Sequence, residues 1–322
     1  MELNDLTNQV NDWCRDFERD GYLALSKYFP SAAIDKVLAA TEEALNSRGM
    51  EIVVDSVITG ERSFFAMAEH QETRLFKFND LYLQLEEVRS LALEQRLTTL
   101  LRALLGGRSP VLCNSLTFVK GSCQPMHIDS LYMTPQTPQH LLATWTAFED
   151  VHPGAGPLVY YPGSHKIPLY RFKDGTNHAT NDEMSLWNEY IGAQLREREI
   201  EPQTFLARKG DLFIWHSDLV HSGSVINDPN ATRQSLVSHY FTEEDCRRMP
   251  GLSLQRLHEG FWLDRFPPPV NAPPERFDAA HPFPETSYLR RHPDVAKAIH
   301  DGILASGYEH YCSHGYREGR PI

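Results

Sequence analysis

Apolar residues recur at helical spacing up to about residue 106, then give way to short alternating runs. In "DLTNQVNDWCRDFERD" (residues 5–20), Leu6, Val10, Trp13 and Phe17 share one side of a helix. After the short strand and turn of "GYLALSKYF", the stretch "SAAIDKVLAATEEALNSRG" offers Ser31 as an N-cap. Ile34, Val37, Leu38 and Leu45 follow along one side, and Gly49 is the stop. Residues 84–106 hold further helix. The runs that follow are "VLCNSLTFVKG", "LLATWTAFEDV", "GPLVYYPGSH", "QTFLARKGDLFIWHSD", "LVHSGSVIND" and "RQSLVSHYFTEED". They are punctuated by Gly, Pro, Asn and Asp. Short strands at this spacing, with almost no helix between them, predict an antiparallel sandwich or barrel. Helices first and strands later make the class α+β, with the helices buttressing one side of the sheet.

One excursion interrupts the strands at residues 168–202. Its centre, "TNDEMSLWNEYIGAQLRERE", pairs Thr180 with Glu183 in a capping-box pattern and then repeats Met184, Trp187, Ile191 and Leu195 at helical spacing. An insertion with its own helix reads as a lid over a site or as a packed ornament. Past residue 249 the chain turns proline-rich ("RFPPPVNAPPERFDAAHPFP"), as an extended arm does. A helical tail follows, with Pro293 in a first turn and Val295, Ile299 and Ile303 on one face. The expected division is a jelly-roll domain over residues 1–270 and an arm with a small helical module over 271–322.

A net charge of −12 with no basic stripe argues against nucleic acid and anionic membranes as partners. No apolar run reaches the length of a membrane span. Cys14, Cys113, Cys123, Cys246 and Cys312 are scattered and odd in number, without CxxC spacing, so neither a disulfide framework nor a thiolate zinc site is expected. A reducing cytoplasm fits. "MELNDLTNQV" is polar and acidic, unlike a signal peptide.

A strand places residues i and i+2 on one face. If "QPMHID" (residues 124–129) is extended, His127 and Asp129 project into one space. An imidazole and a carboxylate meeting there hold a metal ion, form a surface ion pair, or make a hydrogen-bonded core pair; the spacing alone leaves all three open. "GDLFIWHSDLVHSGS" then supplies His216 and His221, and "NDPNATRQSLVSHYF" supplies Arg233. Asn227, Asp228, Pro229 and Asn230 are turn residues. A hairpin centred near Asn227 sets residue 221 opposite residue 233, about 5 Å apart at Cβ. Two histidines and one carboxylate on a β-scaffold leave three positions open on an octahedral ion and suit non-haem Fe(II). An adjacent arginine is a fork for a carboxylate. Together these imply a keto acid that chelates the metal.

The order HxD…H…R on such strands resembles the Fe(II)/2-oxoglutarate dioxygenases, and more narrowly the phytanoyl-CoA dioxygenase family. "FERDGYLALSKYFPSAAIDKV" resembles that family's N-terminal opening. "TWTAFEDVHPGAGPLVYYPGSHK" resembles its central block, and "KGDLFIWHSDLVHSGSVINDPNATRQSLVSHY" its distal block. The resemblance implies a double-stranded β-helix (jelly-roll, cupin-like) core with flanking N-terminal helices. It implies Fe(II), 2-oxoglutarate and O2 as cofactor and co-substrates. It implies His127, Asp129 and His221 as metal ligands, Arg233 for the far carboxylate of 2-oxoglutarate, and Trp145 near that co-substrate. His221 is preferred to His216 because "HSGS" and then Arg233 follow it as in the family. Gly223 departs from the family, where serine often stands. The tail resembles a short element associated with bacterial glycan-related proteins.

The implied reaction is hydroxylation of an unactivated C–H bond in a small organic substrate, with release of succinate and CO2. Desaturation, epoxidation and cyclisation use the same ligands. A jelly roll that binds without turnover is the rival from a different class. An iron halogenase, which lacks the carboxylate ligand, is disfavoured by Asp129. Self-association is left open. Elsewhere, His165 in "PGSH" is expected to bond a turn, and Trp187 and Tyr190 to pack. His239 and Tyr240 are expected to alternate between core and surface. Ser130 and Tyr132 read as substrate-facing or as loop residues, and Lys77 as solvated or as a group near the co-substrate.

Overall fold

A computed structural model describes residues 3–46, 52–57, 60, 62–65, 73–180, 182–249, 251–265, 283–301, 303–315 and 320. The N-terminal elements are α1 (Leu3–Asp20), β1 (Tyr22–Leu25), α2 (Ser31–Asn46), β2 (Val53–Ser56), β3 (Arg62–Phe64), β4 (Phe76–Asn79), α3 (Glu86–Ala92) and α4 (Gln95–Leu104). Then come β5 (Pro110–Phe118), β6 (Leu141–Ala147), β7 (Leu158–Tyr160), α5 (Met184–Glu197), β8 (Gln203–Phe205), β9 (Leu212–His216), β10 (His221–Gly223) and β11 (Ser235–Thr242). The last are α6 (Glu243–Arg247), β12 (Ser253–Leu257), β13 (Gly260–Asp264), α7 (Glu285–Arg291), α8 (Pro293–His300) and α9 (Gly307–His310). No described helix is long and apolar enough to cross a membrane.

The chain divides into two units. The first comprises Met1–Glu43 and Asp80–Arg265. Its larger sheet runs β1-β9-β6-β11-β5, each neighbour antiparallel, with β13 added in parallel to β5 and β12 paired to β13. A smaller sheet runs β10-β7-β8. Ala143, Trp145 and Ala147 of β6 and Phe213 and Trp215 of β9 point inward, where they meet Leu158 and Tyr160 of β7. The uncharged "LLATWTA" of β6 is buried at every position, as expected for a strand covered on both faces. Two facing sheets joined in this way form a double-stranded β-helix, the jelly roll.

The second unit comprises Ala44–Asn79 and Phe266–Ile322. In it β2 pairs with both β3 and β4, and Asp55 receives Arg62 at 2.7 Å and Lys77 at 3.1 Å. Lys77 is thus an ion-pair residue of this small sheet. Tyr288, Val295 and Tyr311 make a helical core in the same unit. Gly49 and most of the proline-rich arm, residues 266–282, lie outside the described residues.

Within the 168–202 insertion, Trp187, Ile191 and Leu195 of α5 are buried against Ile128, Leu131 and Val220. The helix therefore packs behind the HxD segment, and each of the three side chains contributes about 1.5–3 kcal/mol of burial. The capping box does not form as expected. Glu183 is itself the N-cap, and its carboxylate accepts the Lys173 N–H at 2.8 Å.

His165 has a structural role, though its partner is helix α1 and not a turn: its Nε2–H donates to the Glu18 carbonyl at 3.2 Å. Gly21, which joins α1 to β1 at φ +79°, makes room for that ring, because a Cβ there would fall 2.3 Å from His165 Nδ1. Gly21→Ala is expected to destabilise the fold by about 2–5 kcal/mol, combining left-handed backbone strain with overpacking. A denaturant midpoint equal to wild type would refute this.

Candidate metal centre and its pocket

Residues 127 and 128 are extended, and the chain turns at once into a 3₁₀ turn over Asp129–Leu131. The HxD segment is thus a single bridge rather than a full strand. His127 and His221 exchange both backbone N–H···O bonds, each 3.0 Å, as a hydrogen-bonded antiparallel pair does. Their rings lie 4.2 Å apart. Each ring then donates its Nδ1–H to a carbonyl two residues back: His127 to Pro125 at 2.8 Å, His221 to Leu219 at 2.9 Å. This fixes both tautomers and leaves both Nε2 lone pairs facing inward.

Asp129 Oδ1 lies 3.7 Å from Nε2 of His127 and 3.6 Å from Nε2 of His221. The three residues are buried, and their ligand atoms all lie within 4.8 Å of one another. Burial, then the neighbouring His221, pushes the His127 pKa down to about 4, so the ring is neutral and able to donate its lone pair at pH 7. Burial alone would raise the Asp129 carboxyl. The surrounding His221 and His239 outweigh it and hold the group below the ordinary carboxylate range, ionised. Two imidazoles and one carboxylate converging in this way are a facial donor set for a divalent metal.

His216 takes no part. It follows Trp215 on β9 and so faces the other way, with its ring 5.3 Å from that of His165 and its Nδ1 accepting the Asp218 N–H.

A cavity of about 220 Å³ opens beside the triad, lined by residues 114, 116 and 118 of β5, by Trp145, and by Arg233, Val237 and His239. Arg233 is buried. Its Nη1 donates to the Gly156 carbonyl at 2.7 Å, while its Nε meets no acceptor among the described residues. Burial pushes its pKa down to about 10, with only Cys123 acting in the other direction. Trp145 Nε1 is likewise buried without a partner, and the Arg233 Cζ stands 5.9 Å from the Trp145 ring.

The expected hairpin register does not form. His221 pairs with Tyr160 in the small sheet, and Arg233 precedes β11 of the large one, its N–H bonded to the Val119 carbonyl. Asn227 and Asp228 both donate to the Gly154 carbonyl, so residues 224–232 carry the chain between sheets. His221 and Arg233 share one cavity without being cross-strand neighbours.

The structure adds residues that the sequence reading did not assign to the site. His239 is buried beside Tyr240, so the two do not alternate between core and surface, and its Nε2 lies 3.5 Å from Asp129 Oδ2. Trp215 donates its indole N–H to the same Oδ2 at 2.8 Å. Gln124 Nε2 donates to His127 Nε2 at 3.1 Å. Parity was the available signal for His239: residues 233, 235, 237 and 239 share one face of a strand. Of the other residues weighed, Ser130 is buried and Tyr132 lines the cavity rim, more than half exposed. Gly223 lies under the 122–124 loop, where a Cβ would sit 3.1 Å from the backbone nitrogens of Cys123 and Gln124.

Among solved structures, the non-heme alpha ketoglutarate dependent epimerase SnoN from nogalamycin biosynthesis aligns with a TM-score of 0.55 and 21% identity, over 81% of this chain and 100% of its own. The carbocyclase SnoK from the same biosynthesis aligns with a TM-score of 0.54 and 21% identity, over 74% of this chain and 85% of its own. At such identities the likeness is one of fold. The peroxisomal phytanoyl-CoA dioxygenase of Rattus norvegicus is 31% identical over 134 residues, 40% of this chain and 36% of that protein. The matched stretch thus spans little more than a third of the first curated relatives. The phytanoyl-CoA dioxygenase (PhyH) family model matches residues 17–234, a span that runs from α1 through the histidine pair and the buried carboxylate to the buried guanidinium. With two thirds of its length in that match and the fold to go with it, the chain belongs to the phytanoyl-CoA dioxygenase family.

Proposed function

We propose that the chain is an Fe(II)- and 2-oxoglutarate-dependent oxygenase acting on a small organic substrate. In this reading His127, Asp129 and His221 hold the iron, and Arg233 and Trp145 receive the far carboxylate of 2-oxoglutarate. The observation that carries it is Arg233: a buried guanidinium without a carboxylate partner among the described residues, in the same cavity as an indole N–H that likewise has none among them and a facial donor set. A buried cation of this kind costs the fold free energy unless an anion answers it. A dicarboxylate that reaches from the donor set to Arg233 answers it.

Iron bound there would supply the oxygen chemistry, letting O2 oxidise 2-oxoglutarate to succinate and CO2 while one oxygen atom goes to a C–H bond of the substrate. The chain's own residues bind and orient. His127 and His221 are held as lone-pair donors by their backbone bonds, and Asp129 is held ionised. Leu116, Phe118, Leu158 and Val237 give the cavity apolar walls that exclude water. Hydroxylation is the simplest outcome.

The proposal includes a catalytic part within residues 1–270 and an accessory module over 271–322, since every described residue lining the cavity falls between 114 and 239. It also includes a cytoplasmic location, which the free thiols of Cys14, Cys113, Cys123 and Cys246 suit.

Protein loaded anaerobically with Fe(II) and 2-oxoglutarate, then exposed to O2, is expected to form succinate slowly even without its primary substrate. Fully loaded protein that forms none would reduce the chain to a binding jelly roll.

A further inference from the structure

The two oxygens of Asp129 have different surroundings. Oδ1 faces the two Nε2 lone pairs. Oδ2 accepts the Trp215 indole N–H at 2.8 Å and lies 3.5 Å from His239 Nε2. Indole nitrogen donates and never accepts, so this bond, a charge-assisted one, singles out Oδ2 and competes with its use as a metal ligand.

His239 is itself held in place. Asn114 Nδ2 donates to Asp80 Oδ1 at 3.2 Å, so the other end of the amide, Oδ1, faces His239 Nδ1 at 3.1 Å and accepts its proton. Asp80 is fixed in turn by the Ser115 N–H and by Arg265, each at 2.7 Å. His239 is thereby held beside Oδ2, while the Trp215 N–H is the donor that fixes this oxygen.

The consequence concerns coordination number. A carboxylate that chelates through both oxygens takes two positions on a metal, whereas one that binds through a single oxygen leaves three open beside two imidazoles. A chelating keto acid and O2 together need all three.

We propose that Trp215 is a positioning residue that holds Asp129 as a single-oxygen ligand through Oδ1; this rests on the reading of His127, Asp129 and His221 as the metal ligands. Trp215→Phe keeps an aromatic ring in the core and removes the N–H. With Co(II) as the probe, the variant is expected to bind about 10- to 100-fold more weakly, as loss of an outer partner of a ligand does. Its Co(II) absorption spectrum is expected to shift as the freed carboxylate turns. In an Asp129→Ala background, Trp215→Phe should weaken binding no further.

Wild-type affinity with an unchanged spectrum in Trp215→Phe overturns the proposal. If that variant does not fold, the isosteric Asp129→Asn decides. An indole donor at Oδ2 forces the amide to turn its NH2 toward the metal, so Asp129→Asn should bind Co(II) no better than Asp129→Ala. Clearly tighter binding by the asparagine would mean that nothing fixes the group's orientation. Wild-type Co(II) affinity in Asp129→Ala would instead sink the ligand assignment itself, whatever Trp215 does.

Discussion

After anaerobic reconstitution with Fe(II), His221→Ala is expected to retain essentially no iron, and His216→Ala to retain the wild-type stoichiometry of one per chain. The two histidines are five residues apart, and either suits a sequence pattern. They differ in which way they face. His221 is bridged to His127 and turns Nε2 toward Asp129 at 3.6 Å, while His216 sits against His165 on the far side of β9. His127→Ala and Asp129→Ala should lose iron and 2-oxoglutarate turnover as completely as His221→Ala. None of these should unfold the protein, because the core of the sandwich lies among Trp145, Phe213 and their neighbours. Metal analysis on folded, gel-filtered variants is the measurement. Full occupancy in both His127→Ala and Asp129→Ala would dismiss the assignment.

Arg233→Ala is expected to weaken 2-oxoglutarate binding by about tenfold to more than a hundredfold, the equivalent of losing roughly 1.5–3 kcal/mol of charge-assisted hydrogen bonding. Arg233→Lys keeps the charge but not the planar fork, and should fall between. Iron stoichiometry should not change in either. A second readout separates this from a structural role. The wild-type guanidinium is buried with Nε unsatisfied, so an anion that pairs with it stabilises the fold by mass action. 2-Oxoglutarate should therefore raise the melting temperature of the Mn(II)-loaded wild type and leave that of Arg233→Ala nearly unmoved. An unchanged dissociation constant by anaerobic titration calorimetry would remove the co-substrate anchor.

Sequence carried much of this, and the failures have physical causes. The switch from helical to alternating period located the jelly roll, because each strand buries one inner face whichever sheet it joins. The meeting of His127, Asp129, His221, Arg233 and Trp145 in one cavity was legible from the resemblance of the quoted blocks to the family. The route between His221 and Arg233 was not. Asn227 to Asn230 do mark a reversal, but turn residues say nothing about which sheet receives the next strand, and here Gly154 draws the loop across. Thr180 was overvalued as a cap because a capping box is a local pattern, whereas the Glu183 carboxylate is claimed by a backbone N–H ten residues upstream. His239 was undervalued although strand parity ties it to Arg233. Trp215 gave no signal at all, since an inward-facing tryptophan in a strand is ordinarily just core.

The reciprocal main-chain bonds between residues 127 and 221 reach further than geometry. They make the distance between the two imidazoles a property of the backbone, so that ligand spacing and ligand identity are separately adjustable. A chain trimmed at either position keeps a vacancy of the right size in the right place, one that a free imidazole from solution could fill. The same two bonds that assemble this centre therefore also make it repairable.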